Sequence, residues 1–159
     1  GGYTIFFRHS ITPGTDPNKF NPPGENMFVC STQRQLNEEG KAQAKLIGVK
    51  FKEHSIPFDK VYASIFCRCD DTAKLAFEKS VPVTWMTVSY SMKSMPELRK
   101  HILSIPNTGT NNIYVGHALT VSDQLLGKEF PKVYLKEGEA VVFDPKNGAI
   151  VGKINPASW

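Results

Sequence analysis

Three short stretches carry residue types that do chemistry together: Arg8-His9, Arg68, and Gly116-His117. Arg8-His9 closes the run Tyr3-Thr4-Ile5-Phe6-Phe7, which is apolar, aromatic and β-branched and reads as a buried strand. In open α/β sheets, ligands bind beyond the carboxyl ends of the strands, so this pair stands where a ligand would meet it. Taken alone, it reads more readily as the place where a core strand reaches water. The pattern then repeats: Arg68 follows the strand-like Lys60-Val61-Tyr62-Ala63-Ser64-Ile65, and His117 ends Asn112-Ile113-Tyr114-Val115-Gly116. Two arginines and two histidines converging on one crevice make an anion site, because guanidinium groups match phosphate oxygens bidentately. An imidazole kept neutral by a hydrogen bond through one nitrogen can attack phosphorus with the other. Arginines and the second histidine would hold the charge that develops on the equatorial oxygens. No cofactor is called for, and no cluster of carboxylates of the kind that holds magnesium appears.

The elements that must position these residues alternate along the chain. After the first strand, positions 10–30 hold Pro13-Gly14, Pro17 and Pro22-Pro23-Gly24, a long loop that would hang beside His9 and bring Thr12, Thr15 and Asp16 near a ligand. Asn37 followed by Glu38 and Glu39 announces a helix to about Lys52, with Ala44, Ile47, Gly48 and Phe51 on one side. A second helix starts at Asp70 or Asp71 and runs through Ala73, Leu75, Ala76 and Phe77. Val81 to Met86 reads as a third extended piece whose Pro82 suits a sheet edge. Met92, Met95, Leu98, Ile102 and Leu103 would line an irregular helix helped by Pro96. Thr120 to Leu126 reads as a short helix. Lys132 to Lys136, Glu139 to Phe143 and Ala149 to Ile154 read as antiparallel strands, the last two joined by a turn at Asp144-Pro145-Lys146-Asn147-Gly148. The glycine of Gly116-His117 would let the backbone approach whatever occupies the crevice.

The 159 residues suit one domain able to bury its own core. Nineteen basic against fifteen acidic residues leave a net charge of +4, spread without a cationic block, which argues against nucleic acid as partner. No stretch has the apolar length to cross a bilayer. Gly1-Gly2 looks like a processed end, so a missing export signal decides nothing. Cys30, Cys67 and Cys69 allow one bridge and one free thiol, or none, and spacing does not choose.

Arg8-His9 after a strand, Leu36-Asn37-Glu38-Glu39-Gly40 with Gln43-Ala44, Ser64-Ile65-Phe66-Cys67-Arg68 with Thr72-Ala73, and Gly116-His117 together resemble the histidine phosphatase superfamily, the phosphoglycerate mutase-like fold. The resemblance runs from Tyr3 to about Ile154. It implies a single domain over 1–159, a three-layer α/β/α sandwich with a mostly parallel central sheet. It also implies a metal-independent phosphomonoester or phosphoramidate hydrolase, with His9 as the nucleophile that becomes phosphohistidine and Arg8, Arg68 and His117 as the phosphate pocket. Water would hydrolyse the intermediate, and phosphate or sulfate would occupy the same pocket.

The chain looks closest to small bacterial members, including phosphohistidine phosphatases and the lipopolysaccharide core heptose phosphatase type. It resembles an exported, periplasmic subgroup in which cysteines similar to Cys30 and Cys67 or Cys69 pair, with a cytoplasmic location as the alternative. Its substrate would then be a phosphorylated small molecule or cell-envelope component. The competing reading is a non-catalytic phospho-ligand binding domain of the same fold. Two departures from the family pattern stand out. Ser10 replaces the usual glycine, which is tolerable if φ there is not positive, and would add a phosphate donor. The family's general acid has no clear motif; Glu97 is the nearest candidate and Asp16 its rival, while Glu97 also reads as a solvent-facing helix residue beside Lys93, Arg99 and Lys100. Gln33 and Arg34 would supply a second polar contact to the non-reacting part of a substrate, with Arg34 equally readable as a surface residue.

Overall fold

In this computed structural model the described residues are 1–13, 25–86, 96–106, 108–117 and 135–159. The strands are β1 (Thr4–Arg8), β2 (Phe58–Ser64), β3 (Val81–Val83), β4 (Asn111–Gly116), β5 (Ala140–Asp144) and β6 (Ala149–Ile154). They form one sheet in the order β3-β2-β4-β1-β5-β6. The first four run parallel, and β5 and β6 close the other side as antiparallel strands. Among the described residues, three α-helices, α1 (Glu38–Glu53), α2 (Cys67–Phe77) and α3 (Pro96–Ser104), complete the layers the resemblance implies.

The two-residue period of β1 divides the core. Phe7 and Ile5 face Ile47 and Phe51 of α1 and Ala73, Ala76 and Phe77 of α2. Phe6 faces the other way, onto Leu98 and Ile102 of α3 with Met86, Tyr114 and Phe143. A strand apolar on both faces is what a sheet covered on both sides demands, and it explains why Ile5-Phe6-Phe7 is an unbroken apolar run. Burying both phenylalanines completely contributes several kcal/mol.

The start of α1 follows the sequence closely: the Asn37 side chain accepts from the Gly40 N–H at 2.7 Å, with Glu38 and Glu39 in the first turn. β3 does pair at the sheet edge, but it is shorter than the extended piece expected over Val81 to Met86. Thr84–Met86 instead turns into a 3₁₀ helix that folds Met86 into the core. Expectations for residues 120–126 and 132–134, and for Met92 and Met95, lie outside the described residues; Leu135 and Lys136 are not strand. Among the described residues no helix is long and apolar enough to cross a membrane.

Gly116 corrects one expectation. A Cβ there would stand 2.7 Å from Phe6 Cζ and 3.3 Å from Met86 Cε, so its small size makes room for the core rather than for a ligand.

Candidate active site

The parallel registers bring the chemistry to one edge. Phe7 lies beside Val115 and Arg8 beside Gly116, so His9 and His117 leave neighbouring strands at the same level. The His9 N–H donates to the Gly116 carbonyl at 2.9 Å, and the rings meet at 5.7 Å between centroids. Ala63 lies beside Val115, which places Ser64 at the end of β2, where its hydroxyl is 3.1 Å from His117 Nε2. Arg68 arrives differently. It is the second residue of α2 rather than a strand end, buried, with its guanidinium 4.6 Å over the Phe66 ring, and that ring packs edge-on to His117.

The hydrogen bonds of His9 fix its chemistry. Nδ1 stands 2.8 Å from the Ser10 carbonyl, which only accepts, so Nδ1 carries the proton and Nε2 keeps the lone pair. Burial, then the charges of His117 and Arg68, hold the His9 pKa well below that of a free imidazole. His117 is pushed down in the same direction by burial and by Arg68, Arg34 and Arg8. Both rings are therefore neutral at pH 7: His9 has a defined tautomer with Nε2 unprotonated, and His117 is a hydrogen-bonding partner of Ser64.

Backbone anchors hold this arrangement. The Ser10 N–H donates to Thr72 Oγ1 at 3.0 Å, and that hydroxyl donates to the Arg68 carbonyl at 2.7 Å, tying the residue after His9 to the helix that carries Arg68. Ser10 does not have positive φ, so the serine in place of glycine is unstrained. Gly138, at φ +81°, donates its N–H to the His9 carbonyl at 3.0 Å. The turn it makes delivers Glu137, whose Oε1 accepts from Thr12 Oγ1 at 2.9 Å and lies 3.7 Å from Arg8 Nη2, while Arg8 Nη1 donates to the Leu135 carbonyl.

The loop before α1 forms the opposite wall. Cys30 and Cys67 are disulfide-bonded, so of the pairings left open the bridge takes Cys67. Cys69 stays a buried thiol, 3.6 Å from the Gly116 carbonyl, its pKa raised to about 12 chiefly by burial, and is protonated at neutral pH. Gln33 Oε1 accepts the Cys67 N–H at 2.8 Å, satisfying a first-turn donor of α2. Glu25 Oε1 receives Arg68 Nη1 at 2.8 Å and the Arg34 N–H at 3.3 Å. Ser10 Oγ, Arg34 Nε and Arg68 Nε are buried without a hydrogen-bond partner among the described residues, a costly state unless something polar meets them.

The structure thus gathers Arg8, His9, Ser10, Arg68 and His117, with Thr12, Gln33 and Arg34 around them. Glu97 is exposed in the first turn of α3, the helix that covers the sheet on the Phe6 side. Thr15 and Asp16 lie outside the described residues. Sequence reasoning missed Glu25, Glu137 and the linking role of Thr72, because nothing local in sequence marks an acid whose partner lies more than forty positions away.

Comparison with known families follows the geometry. A family model described as the histidine phosphatase superfamily (branch 1) matches residues 5–87, just over half of the chain. The chain belongs to this superfamily. Histidine phosphatase chemistry is metal-independent and runs through phosphohistidine, and membership supports a hydrolase of that kind here. The match ends before His117, so the family model does not speak to that residue. Solved structures share the fold at low identity. The protein histidine phosphatase SixA complexed with tungstate has 14% identity, 98% coverage of both chains and a TM-score of 0.73. The phosphoserine phosphatase of Entamoeba histolytica in complex with 3-phosphoglyceric acid has 14% identity, 96% coverage of both and a TM-score of 0.72. A SixA-type phosphohistidine phosphatase from Agrobacterium tumefaciens has 18% identity, 97% coverage of both and a TM-score of 0.65. No curated protein matches the chain.

Proposed function

We propose that this histidine phosphatase hydrolyses a small phosphorylated substrate with His9 as the nucleophile and Arg8, Arg68 and His117 as the phosphoryl-binding groups. The observation that carries it is the Nδ1 bond of His9 to the Ser10 carbonyl, which leaves Nε2 unprotonated inside a pocket of cations. Nε2 attacks phosphorus, the bond to the leaving group breaks, and a water then cleaves the N–P bond to release phosphate. Arg8 and Arg68 bind the oxygens that gain charge, and His117, held through Nε2 by Ser64, offers its remaining nitrogen. The tungstate bound to the structurally similar SixA supports a tetrahedral oxyanion as the occupant.

Both acids seen beside the pocket, Glu25 and Glu137, are engaged by arginines. Among the described residues this favours leaving groups that need little protonation, phosphoramidates and acyl phosphates, over alkyl phosphates. The Cys30–Cys67 bridge supports an oxidising compartment, and with it an exported enzyme acting on a cell-envelope or periplasmic substrate.

The test is hydrolysis of an aryl phosphate and of phosphoramidate with EDTA present, comparing the native chain with His9→Ala. Activity that resists EDTA and disappears in His9→Ala, with label from the substrate recovered as acid-labile phosphohistidine, is the expected outcome. Equal residual rates in both proteins would reject His9 as nucleophile and favour the binding-domain reading.

A further inference from the structure

Arg34 is a third guanidinium at this site, and the mechanism above gives it no task. It sits directly after Gln33, on a loop fastened to α2 by the Cys30–Cys67 bridge and by the Gln33 bond to the Cys67 N–H. Its own N–H is bound to Glu25, the carboxylate that also receives Arg68. Its charge lies within reach of both Arg68 and Arg8, with Glu137 and Glu25 as the opposing acids. Among the described residues, three arginines and two carboxylates meet here beside two neutral histidines. Guanidinium groups gathered in this way favour an anion that joins them. The buried Nε of Arg34, without a hydrogen-bond partner among the described residues, is a second sign of the same thing.

Depth separates the roles. The Arg68 side chain is 5% exposed and that of Arg8 12%, whereas Arg34 is only half-buried and comes from a loop outside the strand ends. Arg8, Arg68 and His117 already suffice for the three non-bridging oxygens of a phosphoryl group on His9. A guanidinium farther out meets what that phosphoryl is attached to.

We propose that Arg34 is a specificity-determining residue that binds a second anionic group, a carboxylate or a second phosphate, on the part of the substrate beyond the reacting phosphoryl. This deepens the phosphatase reading and rests on its placement of the phosphoryl group. Substrates with two separated negative charges are then preferred over phosphates whose remainder is neutral. The disulfide acts as the mount that keeps the selecting arginine at a fixed distance from Arg68.

Binding without turnover separates this proposal from the phosphatase reading. Methylphosphonate, phosphonoacetate and methylenediphosphonate are titrated calorimetrically into the intact oxidised protein, the last two carrying a carboxylate or a second phosphonate. The native chain is expected to bind at least one of these two about tenfold more tightly than methylphosphonate, and the better one identifies the second group. Arg34→Gln should bring that ratio to within about threefold of unity while leaving methylphosphonate affinity nearly unchanged. Arg34→Lys should keep most of the preference. Thermal unfolding checks that each variant folds, and Arg34→Met takes the place of Arg34→Gln if that variant does not. No preference in the native chain, or an equal loss for all three probes, overturns the proposal. Absence of hydrolysis by the native chain would count against the phosphatase reading alone, because the binding ratio does not depend on it.

Discussion

His9 and His117 stand edge to face at the ends of adjacent parallel strands, their ring planes inclined by 70°. This follows from the register that pairs Arg8 with Gly116, since the next residue of each strand leaves the sheet at the same level. Two imidazoles this close, both buried beside arginines, disfavour protonation of either.

The consequence is a pH-dependent stability. An unfolded histidine takes up its proton near pH 6.5, while these two remain neutral in the folded chain until well below that value. The unfolded state therefore binds more protons, and stability is full above pH 6.5 and falls as pH drops below it, until the folded pKa values are reached. Urea unfolding at pH 7.5 and 5.5 should show a loss of roughly 1 kcal/mol per histidine at the lower pH. His117→Asn should remove about half of this dependence. A curve as steep in that variant as in the native chain would show that other groups are responsible.

Thr72 links the residue after His9 to the helix that carries Arg68. Thr72→Val keeps the shape but leaves the Ser10 N–H without its acceptor, at a cost of about 1–3 kcal/mol. Because the Ser10 carbonyl is what orients His9, kcat should fall about tenfold or more with KM changed little. Unfolding and steady-state kinetics on one preparation check both, and an unchanged kcat would show that Ser10 is held in place without Thr72.

Gly116→Ala tests the corrected role of that glycine. Its Cβ would press on the Phe6 ring, displacing it or lifting the end of β4. Overpacking of this kind costs about 1–3 kcal/mol, and it should move His117 relative to His9. Replacing Phe6 by Leu in the same chain should recover much of the stability, since the two changes share one contact. If affinity for phosphate drops while stability does not, the glycine serves the ligand after all.

How far these features were legible in sequence depends on their range. The Asn37 cap, the double-faced β1 and the strand ends at His9 and His117 were readable because each is written in consecutive residues. Arg68 was legible as a cation of the site, but its seat on the first turn of α2 was not, since Phe66 is an N-cap without a capping side chain and Gln33 supplies the missing acceptor from a distant loop. Glu97 drew attention as an acid at a plausible position along the chain. The structure shows it exposed in the first turn of α3, the helix that packs on the Phe6 side of the sheet. Glu25 and Glu137 were invisible for the converse reason: they are ordinary surface residue types until the fold closes them onto Arg68 and Arg8.

The Glu25–Arg68 pair gives the largest expected mutational effect. Both side chains are 5% exposed, so removing one partner takes away the ion pair that compensates the other's buried charge. Arg68→Ala should cost about 3–5 kcal/mol and abolish phosphate binding. Glu25→Gln, which keeps the shape and a hydrogen-bond acceptor, should cost less. The double variant should be more stable than the sum of the two losses predicts, because the pair's desolvation cost goes with the pair. Strict additivity in denaturant unfolding would mean that the two charges do not interact as the 2.8 Å contact requires.

Reduction of the disulfide should act on binding before it acts on chemistry. The bridge joins Cys30 to the first residue of α2 across 37 positions, and opening a loop of that size costs about 2–4 kcal/mol of stability. Gln33 and Glu25 still hold the loop to Cys67 and Arg68 when the bridge is gone, and none of the contacts that orient His9 passes through Cys30. The reduced protein, or Cys30→Ser with Cys67→Ser, should therefore melt at lower temperature yet keep kcat within about threefold. KM should rise severalfold, as the loop that carries Arg34 gains freedom that binding must remove. Kinetics with and without reductant, at a temperature where both forms are folded, separate these effects. Loss of kcat with KM unchanged would show instead that the bridge holds Arg68 in register with His9, and that the loop and the reacting groups move as one.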